Sequence, residues 1–247
     1  MNEIQQENRI HGGSNHGFLN RFQDYLGEFV YGGIDGSVTT FAVVAGAVGA
    51  SLDSSIIIIL GFANLFADGF SMSVGSYLSS KSEKDNYEKH KKIEYWEVDN
   101  IPETEKEEVR QIYREMGFEG ELLEKVVAVI ISDRDRWVDV MMKNELNMME
   151  ASKSPLAMSV VTFGSFILVG FIPLVLYVWD FFFGFKGNLF LSTCLLTSLG
   201  FMVVGFLKTY VTETSRIKGI LETLVLGAVA AAVAYFVGDI LENIIAK

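Results

Sequence analysis

The sequence predicts an all-α, polytopic membrane protein with five transmembrane helices and a helical cytoplasmic insert between the second and third. Half of the 247 residues are apolar (50%) and the mean hydropathy is +0.30, yet the formal charge is −11. A water-soluble domain of this size rarely combines so much apolar surface with so many carboxylates. The charge is also concentrated, because 32 of the 51 charged residues lie between Lys81 and Lys153. Two physically different regions are therefore expected in one chain.

Five segments of 19 to 24 residues supply the expected spans. At 1.5 Å per residue, each can cross a hydrocarbon layer of about 30 Å. The first contains one charge, Asp35, and the second only Asp68, whereas the third and fourth contain none and the fifth has Glu222 and Asp239 near its ends. The segments are residues 29–50, 56–78, 156–179, 189–207 and 220–240.

The distribution of basic residues predicts the orientation. One side receives 18 of the 20 lysines and arginines, in the N-terminal tail, the insert and the loop around Arg216, while the other has only Lys186 and Lys247. Because basic juxtamembrane residues stay on the cytoplasmic side, we expect the N-terminus inside and the C-terminus on the opposite side. The expected order is a mobile polar tail (1–25), spans one and two (26–80), the cytoplasmic insert (81–153) and spans three to five (154–247).

The insert is predicted to be helical throughout. Residues 81–98 continue the second span without a glycine or proline. Pro102 is expected to start a new helix, 103–116, whose glutamate-rich first turn suits the helix dipole and which stops at Gly117. Two further helical stretches are expected at 121–132 and 136–152.

Several functional classes are disfavoured. The excess of acidic over basic residues argues against nucleic-acid binding, because that function needs a basic surface. The same excess favours cationic ligands. The single cysteine, Cys194, excludes an intrachain disulfide and a multi-thiolate zinc site. No phosphate-binding glycine motif, nucleophile–base pair or redox centre is visible, so an enzyme or an ATP-driven pump is not expected.

Polar residues recur on one face of the second span. Asn64, Asp68 and Met72 are spaced every four residues, and Asp35 lies among glycines in the first span. A carboxylate facing lipid costs at least about 2.5 to 3.5 kcal/mol, so both aspartates should face the bundle interior or water. A carboxylate pair can hold a divalent cation or exchange protons, and a thioether adds a soft ligand. The alternative is that Asp68 only hydrogen-bonds to a neighbouring helix and Met72 only packs.

The insert offers a second set of donors. Pairs of glutamates three residues apart share a helix side and repel each other unless a cation intervenes. Two sulfurs and a carboxylate follow within about one turn, a combination that suits ferrous iron or another first-row metal. The alternatives are a solvated acidic face and core methionines, and a ferritin-like di-iron centre is excluded because Glu-x-x-His is absent. The candidate ligands are Glu94, Glu97, Glu105, Glu108, Met141, Met142 and Glu145.

Five motifs in this order resemble the vacuolar iron transporters and their prokaryotic relatives, from about Glu28 to the C-terminus. They are YGGIDGSVTTFAVVAG, ADGFSMSVGSYLSSKSEKD, IPETEKEEV, WVDVMMKNEL and GFIPL. The resemblance implies a homodimer of five-helix subunits with a metal-binding insert and an ion path at the dimer interface. It also implies exchange of a cytoplasmic divalent metal for protons.

Carried over by position, the resemblance implies that Asp35 and Met72 are path ligands. It also implies metal ligands at all seven candidate positions of the insert, where the residue types match. One position departs: plant members have a glutamate where this chain has Asn64, which cannot titrate. We therefore expect Asp68, one turn later, to take over that role.

The sequence thus predicts a secondary transporter that moves ferrous iron or manganese out of the cytoplasm, with no permanently bound cofactor. Residue types do not distinguish the two metals. The membrane would be the cell membrane in a prokaryote and the vacuolar membrane in a eukaryote. The alternative is a membrane-anchored metal sensor or buffer that binds without transport, and His11 and His16 in the tail could add metal donors to either.

Overall fold

The structure is a computed structural model that describes residues 24–245. Helices joined by short turns and loops make up that range, which contains no strand. Five helical stretches are long and apolar enough to cross a membrane, which confirms the all-α class and the five predicted spans. The predicted tail, including His11 and His16, lies almost entirely outside the described residues. The chain divides into two compact units, of which one is Leu78–Ser154 and the other, the bundle, is the remainder.

The described residues contain nine α-helices. They are α1 (Leu26–Gly49), α2 (Ser54–Asn100), α3 (Pro102–Glu115), α4 (Gly120–Ile131), α5 (Arg134–Asn144), α6 (Pro155–Gly170), α7 (Val175–Phe183), α8 (Leu189–Thr212) and α9 (Arg216–Ile245). The bundle holds α1, the apolar first part of α2, and α6 to α9. The third span, predicted as one stretch, is interrupted by a 3₁₀ turn at Ile172–Leu174. Pro173 in that turn lacks the N–H that a continuous helix requires.

Helix α1 lies between α6 and α9, and glycines allow both contacts. A Cβ at Gly36 would lie 2.5 Å from the carbonyl oxygen of Phe166 on α6, and a Cβ at Gly46 would lie 3.3 Å from that of Ala234 on α9. Backbones in an apolar medium associate by such close packing, because lipid supplies no hydrophobic drive between helices. The segment that carries Asp35 is therefore fixed on two sides.

The apolar part of α2 buries one face and exposes the other. Ile57 and Leu65 pack in a core with Phe166 and Leu174, and Ser73 donates a hydrogen bond to the carbonyl oxygen of Ser159 at 2.9 Å. The exposed face has a small residue at every fourth position, which we call the small-residue stripe: Ala63, Ala67, Ser71, Gly75 and Ser79.

The unit Leu78–Ser154 combines the end of α2 with α3, α4 and α5 around its own core. That core includes Val98, Val109, Val127, Trp137 and Met141. Charged contacts join its helices at the surface. The guanidinium of Arg110 on α3 bonds Glu124 on α4 at 2.8 Å, and that of Arg134 on α5 bonds Asp99 on α2 at 2.8 Å.

The last helix of this unit is shorter than predicted. Helix α5 covers Arg134–Asn144, whereas the sequence suggested helix from 136 to 152. Asn147 adopts a left-handed backbone with φ of 52°, and the N–H of Met148 bonds the Met142 carbonyl instead of continuing the helix. Asparagine tolerates this conformation better than most residues, and the helix ends before it.

Candidate metal centre

Glutamates from two helices converge inside the unit Leu78–Ser154. One carboxylate oxygen from each of Glu94, Glu97 and Glu105 lies within 4.8 Å of the others. Glu94 and Glu97 share one side of α2 because they are three residues apart. Val98 and Val109 are both buried in the core of the unit, which holds α3 and its Glu105 against α2.

Two of these carboxylates each have a buried oxygen with no hydrogen-bond partner among the described residues. Glu94 and Glu105 are each only 3% exposed, and the Oε2 atom of each accepts no hydrogen bond from any described residue. An ionised carboxylate that has lost water is costly unless a cation or a donor compensates for it. A proton or a metal ion between the two helices would therefore stabilise these carboxylates.

Glu108 and Glu145 also belong to the cluster, because their charges contribute to the raised pKa values of its members. Burial, with repulsion from Glu145, Glu97 and Glu108, raises the pKa of Glu94 to about 7. Burial, with repulsion from Glu108, Glu94, Glu97 and Glu145, raises the pKa of Glu105 to about 8. The pKa of Glu145 is also raised, first by burial and then by Glu108 and Glu97. The structure thus brings together all five glutamates that the sequence selected; whether they bind metal stays a prediction.

The two candidate methionines occupy a different environment. Met141 and Met142 are fully buried in the apolar core of the unit, where Trp137 also lies. Glu145 follows at the end of α5, and its N–H bonds the Met141 carbonyl at 3.0 Å. Both methionines therefore lie within about one helical turn of Glu145 along the chain, while sulfur coordination stays a prediction.

The donor set restricts the ions that the cluster can hold. Carboxylate oxygens alone would suit Mg²⁺ or Ca²⁺. Thioether donors shift the preference toward first-row transition metals, since sulfur is a softer ligand. Five carboxylates can also collect protons, which compete with a cation for the same oxygens.

A second acidic pair lies within the bundle. Asp35 on α1 is half-buried, Asp68 on α2 is exposed, and the two are close enough for their charges to interact. Asn64 has a buried amide nitrogen with no hydrogen-bond partner among the described residues. Met72 packs, partly buried, against the apolar core shared by α1, α2 and α6. The structure places these four residues in the bundle, and their roles as path residues stay predictions.

The small-residue stripe was missed by sequence reasoning. Its signal was available, because a small residue at every fourth position of a helix marks a face that permits close helix contact. Asp68 adjoins the stripe, one position after Ala67, on the same exposed part of α2.

The described residues contain five helical stretches long and apolar enough to span a membrane and, in a separate helical unit, a buried acidic cluster. These features define a membrane protein with a candidate cation site. A sequence model of the VIT family matches residues 26–239. A vacuolar iron transporter of Toxoplasma gondii is 35% identical over 92% of this chain and 77% of its own length, and one of Plasmodium falciparum is 32% identical over 95% and 88%. Vacuolar iron transporter 1 of Arabidopsis thaliana is 30% identical over 87% of this chain and 86% of its own length. The chain belongs to the VIT family.

Proposed function

We propose that the protein is a secondary transporter that moves ferrous iron or manganese out of the cytoplasm in exchange for protons. The observation that carries this proposal is the neighbouring pair Asp35 and Asp68 within otherwise uncharged spans. Carboxylates in hydrocarbon are costly and typically mark ion or proton pathways. The relatives named vacuolar iron transporter supply the cargo class.

The unit Leu78–Ser154 is proposed as a cytoplasmic metal-collecting domain. Glu94, Glu97 and Glu105 would supply oxygens at its centre, with Glu108 and Glu145 adding negative charge. Met141 and Met142 would supply the softer donors that favour iron or manganese over magnesium. At neutral pH a metal ion would have to displace protons, because the pKa values of Glu94 and Glu105 are raised to about 7 and about 8.

The membrane step is assigned to Asp35, Asp68, Met72 and Asn64. Asp35 and Asp68 would bind the metal cation and protons alternately. Met72 would add a thioether sulfur as a further metal ligand. Asn64 can coordinate through its amide oxygen but cannot release a proton. Proton exchange in α2 is therefore assigned to Asp68.

A homodimer is proposed because one chain leaves Asp68 exposed. An aspartate facing lipid would cost at least about 2.5 kcal/mol. The adjoining small-residue stripe offers a face on which two copies of α2 can approach closely. Pairing at the stripe would move Asp68 of both copies away from lipid and into a shared path.

The proposed topology has the N-terminus and the unit Leu78–Ser154 in the cytoplasm and the C-terminus on the opposite side. The basic-residue distribution supports it. Relatives named for the vacuole support a vacuolar membrane in a eukaryote, and a cell membrane is the equivalent in a prokaryote. Protease protection of sealed vesicles would test the sidedness.

Metal flux into proteoliposomes tests the proposal against a sensor or buffer. A transporter should load Fe²⁺ or Mn²⁺ beyond the amount of protein present, and collapsing the pH gradient with a protonophore should slow loading. A sensor or buffer would stop at a stoichiometric amount and ignore the gradient. Competition among ferrous, manganous, cobalt and zinc ions in the same vesicles would rank the cargo.

A further inference from the structure

A slot of about 410 Å³ opens sideways between α8 and α9. Phe201 is the last lining residue along α8, and it bounds one end of the slot in edge-to-face contact with Phe41 of α1, with ring centroids 6.1 Å apart. Phe190 of α8 and Tyr235 of α9 stack at the end nearer the α7–α8 loop, also with centroids 6.1 Å apart. The slot is therefore bounded along the helices and accessible from the side of the bundle.

The slot exists because α9 changes its packing partner along its length. Near its start, α9 packs closely on α8, where a Cβ at Gly205 would lie 2.9 Å from the Gly219 carbonyl oxygen. Further along, α9 packs on α1, as the contact between Gly46 and Ala234 shows. Between these contacts α9 presents the small side chains of Ala228 and Ala232, which leave the space beside α8 unfilled.

The chemistry of the lining excludes a polar ligand. Phenylalanine, alanine and leucine side chains dominate it, and the lining residues whose side chains have a polar atom are Cys194, Ser198 and Tyr235. The Ser198 hydroxyl already donates to the Cys194 carbonyl at 2.8 Å. The slot also lies within the uncharged segment 189–207, so the medium at its open side is lipid.

The dimensions match a single lipid leaflet. From Phe190 to Phe201 the slot follows α8 for about 17 Å at 1.5 Å per residue. Half of a hydrocarbon layer of about 30 Å is about 15 Å. Lys186 lies exposed in the loop just before α8, beyond the Phe190 end of the slot, where its charge complements a lipid phosphate.

We propose that this slot binds one acyl chain of a phospholipid from the leaflet in which α8 begins, with the lipid phosphate at Lys186. The occupant is a structural lipid that fills the gap between α8 and α9. This site is independent of the proposed transport, because it uses no residue of the acidic cluster or of the aspartate pair.

Native mass spectrometry of the full-length protein, stripped with detergent and given dioleoyl phosphatidylglycerol, tests the proposal. The wild type should retain one lipid per chain. Ala228→Phe and Ala232→Phe, which fill the slot, should lose it, and Lys186→Glu should weaken its retention. Val233→Phe is the matched control, since Val233 is 58% exposed on α9 and does not line the slot.

Cys194 provides a second readout that needs no substitution, because it is the chain's only cysteine and lines the slot. Bound lipid should slow its alkylation by N-ethylmaleimide by the factor one plus [L]/Kd, about tenfold when lipid is about nine times Kd. Alkylation that ignores lipid, or lipid retention that is equal in Ala228→Phe and Val233→Phe, would overturn the proposal. Protection that follows protein concentration instead of lipid would also overturn it, since a second copy would then cover the slot.

Discussion

The chain holds carboxylates in two settings. In the unit Leu78–Ser154, glutamates from α2 and α3 meet within 4.8 Å, and both Glu94 and Glu105 are shielded from water by the unit's own helices. In the bundle, Asp35 is half-buried but Asp68 is exposed. The glutamate cluster is complete within one chain, whereas the aspartate pair has an open side. This difference is consistent with our proposal of a metal-collecting site within one subunit and of an ion path that a second subunit closes.

The largest effect is expected from Asp35→Asn. The substitution keeps the size of the side chain but removes the charge that would attract a cation in the span. Metal-dependent proton movement in proteoliposomes should be abolished, while metal binding by the glutamate cluster should persist. Wild-type flux in this variant would remove Asp35 from the path.

Asp68→Asn tests the second carboxylate of the aspartate pair in the bundle. It should also stop proton-coupled flux, since Asn64 cannot titrate in its place. Adding Asn64→Glu to Asp68→Asn returns a carboxylate one turn away and should restore part of the flux. Full activity of Asp68→Asn alone would show that α2 carries no proton.

In the glutamate cluster, Glu94→Gln and Glu105→Gln should each weaken metal affinity at least about tenfold. Removing a residue that only contacts a metal ligand already costs about tenfold or more, and these two residues are proposed to be ligands themselves. Each variant replaces a buried carboxylate, one oxygen of which has no hydrogen-bond partner among the described residues, by an uncharged amide. Isothermal titration with Mn²⁺ measures the change. Glu88→Gln is the matched control because Glu88 is exposed on the same helix; an equal loss in that variant would indicate a diffuse charge effect instead of a site.

The cluster should make the metal-free protein less stable as pH rises. The pKa values of Glu94 and Glu105 are raised from 4.5 to about 7 and about 8, so the folded state holds their protons more tightly than the unfolded state. Stability from these groups is therefore greatest at low pH and is lost as pH passes through the folded pKa values. The loss of stability is therefore expected between about pH 5 and pH 9, from just above the ordinary pKa of 4.5 to just above the raised values of the folded state.

Trp96 and Trp137 lie in this unit and can report its unfolding by fluorescence. Saturating Mn²⁺ should restore stability at high pH, where the carboxylates are free to bind it. Glu94→Gln should flatten the pH profile of the metal-free protein. A metal-free profile that rises with pH would contradict the assigned burial of these groups.

The smallest effect is expected at the small-residue stripe. Ala67→Trp adds bulk where two α2 helices are proposed to meet and should shift the protein toward monomer in size-exclusion chromatography with light scattering. Val233→Trp, on the exposed face of α9, is the control and should leave the oligomeric state unchanged. A dimer that tolerates Ala67→Trp would place the contact on another face.

The sequence correctly predicted those features of the fold that depend on a local residue pattern, namely the apolar spans and one helix start. Apolar length identified the five spans, and Pro102 correctly marked the start of α3. The sequence-based prediction missed the 3₁₀ turn at Ile172–Leu174, because that break depends on how the fold accommodates Pro173. It also extended α5 past Asn147, because the end of the helix depends on the left-handed backbone of that residue. Spacing alone paired Glu94 with Glu97 and Glu105 with Glu108. Their convergence depends on the packing of Val98 and Val109, which no periodicity reveals.

The same limit applies to burial in the bundle. The four-residue spacing placed Asn64, Asp68 and Met72 on one side of α2, but it could not show that Asp68 is exposed while Met72 packs in the core. Nor could it reveal the slot beside α8, since that space results from α9 changing partner between α8 and α1.

Flux of Fe²⁺ by the purified wild-type protein in sealed vesicles, followed with and without an imposed pH gradient, tests the central claim most directly. Our account predicts continuous metal transfer that exceeds the protein present and that slows when the gradient is collapsed, with protons moving in the opposite direction. Saturation at a stoichiometric amount of metal, unaffected by the gradient, would contradict it and leave a membrane-anchored metal buffer.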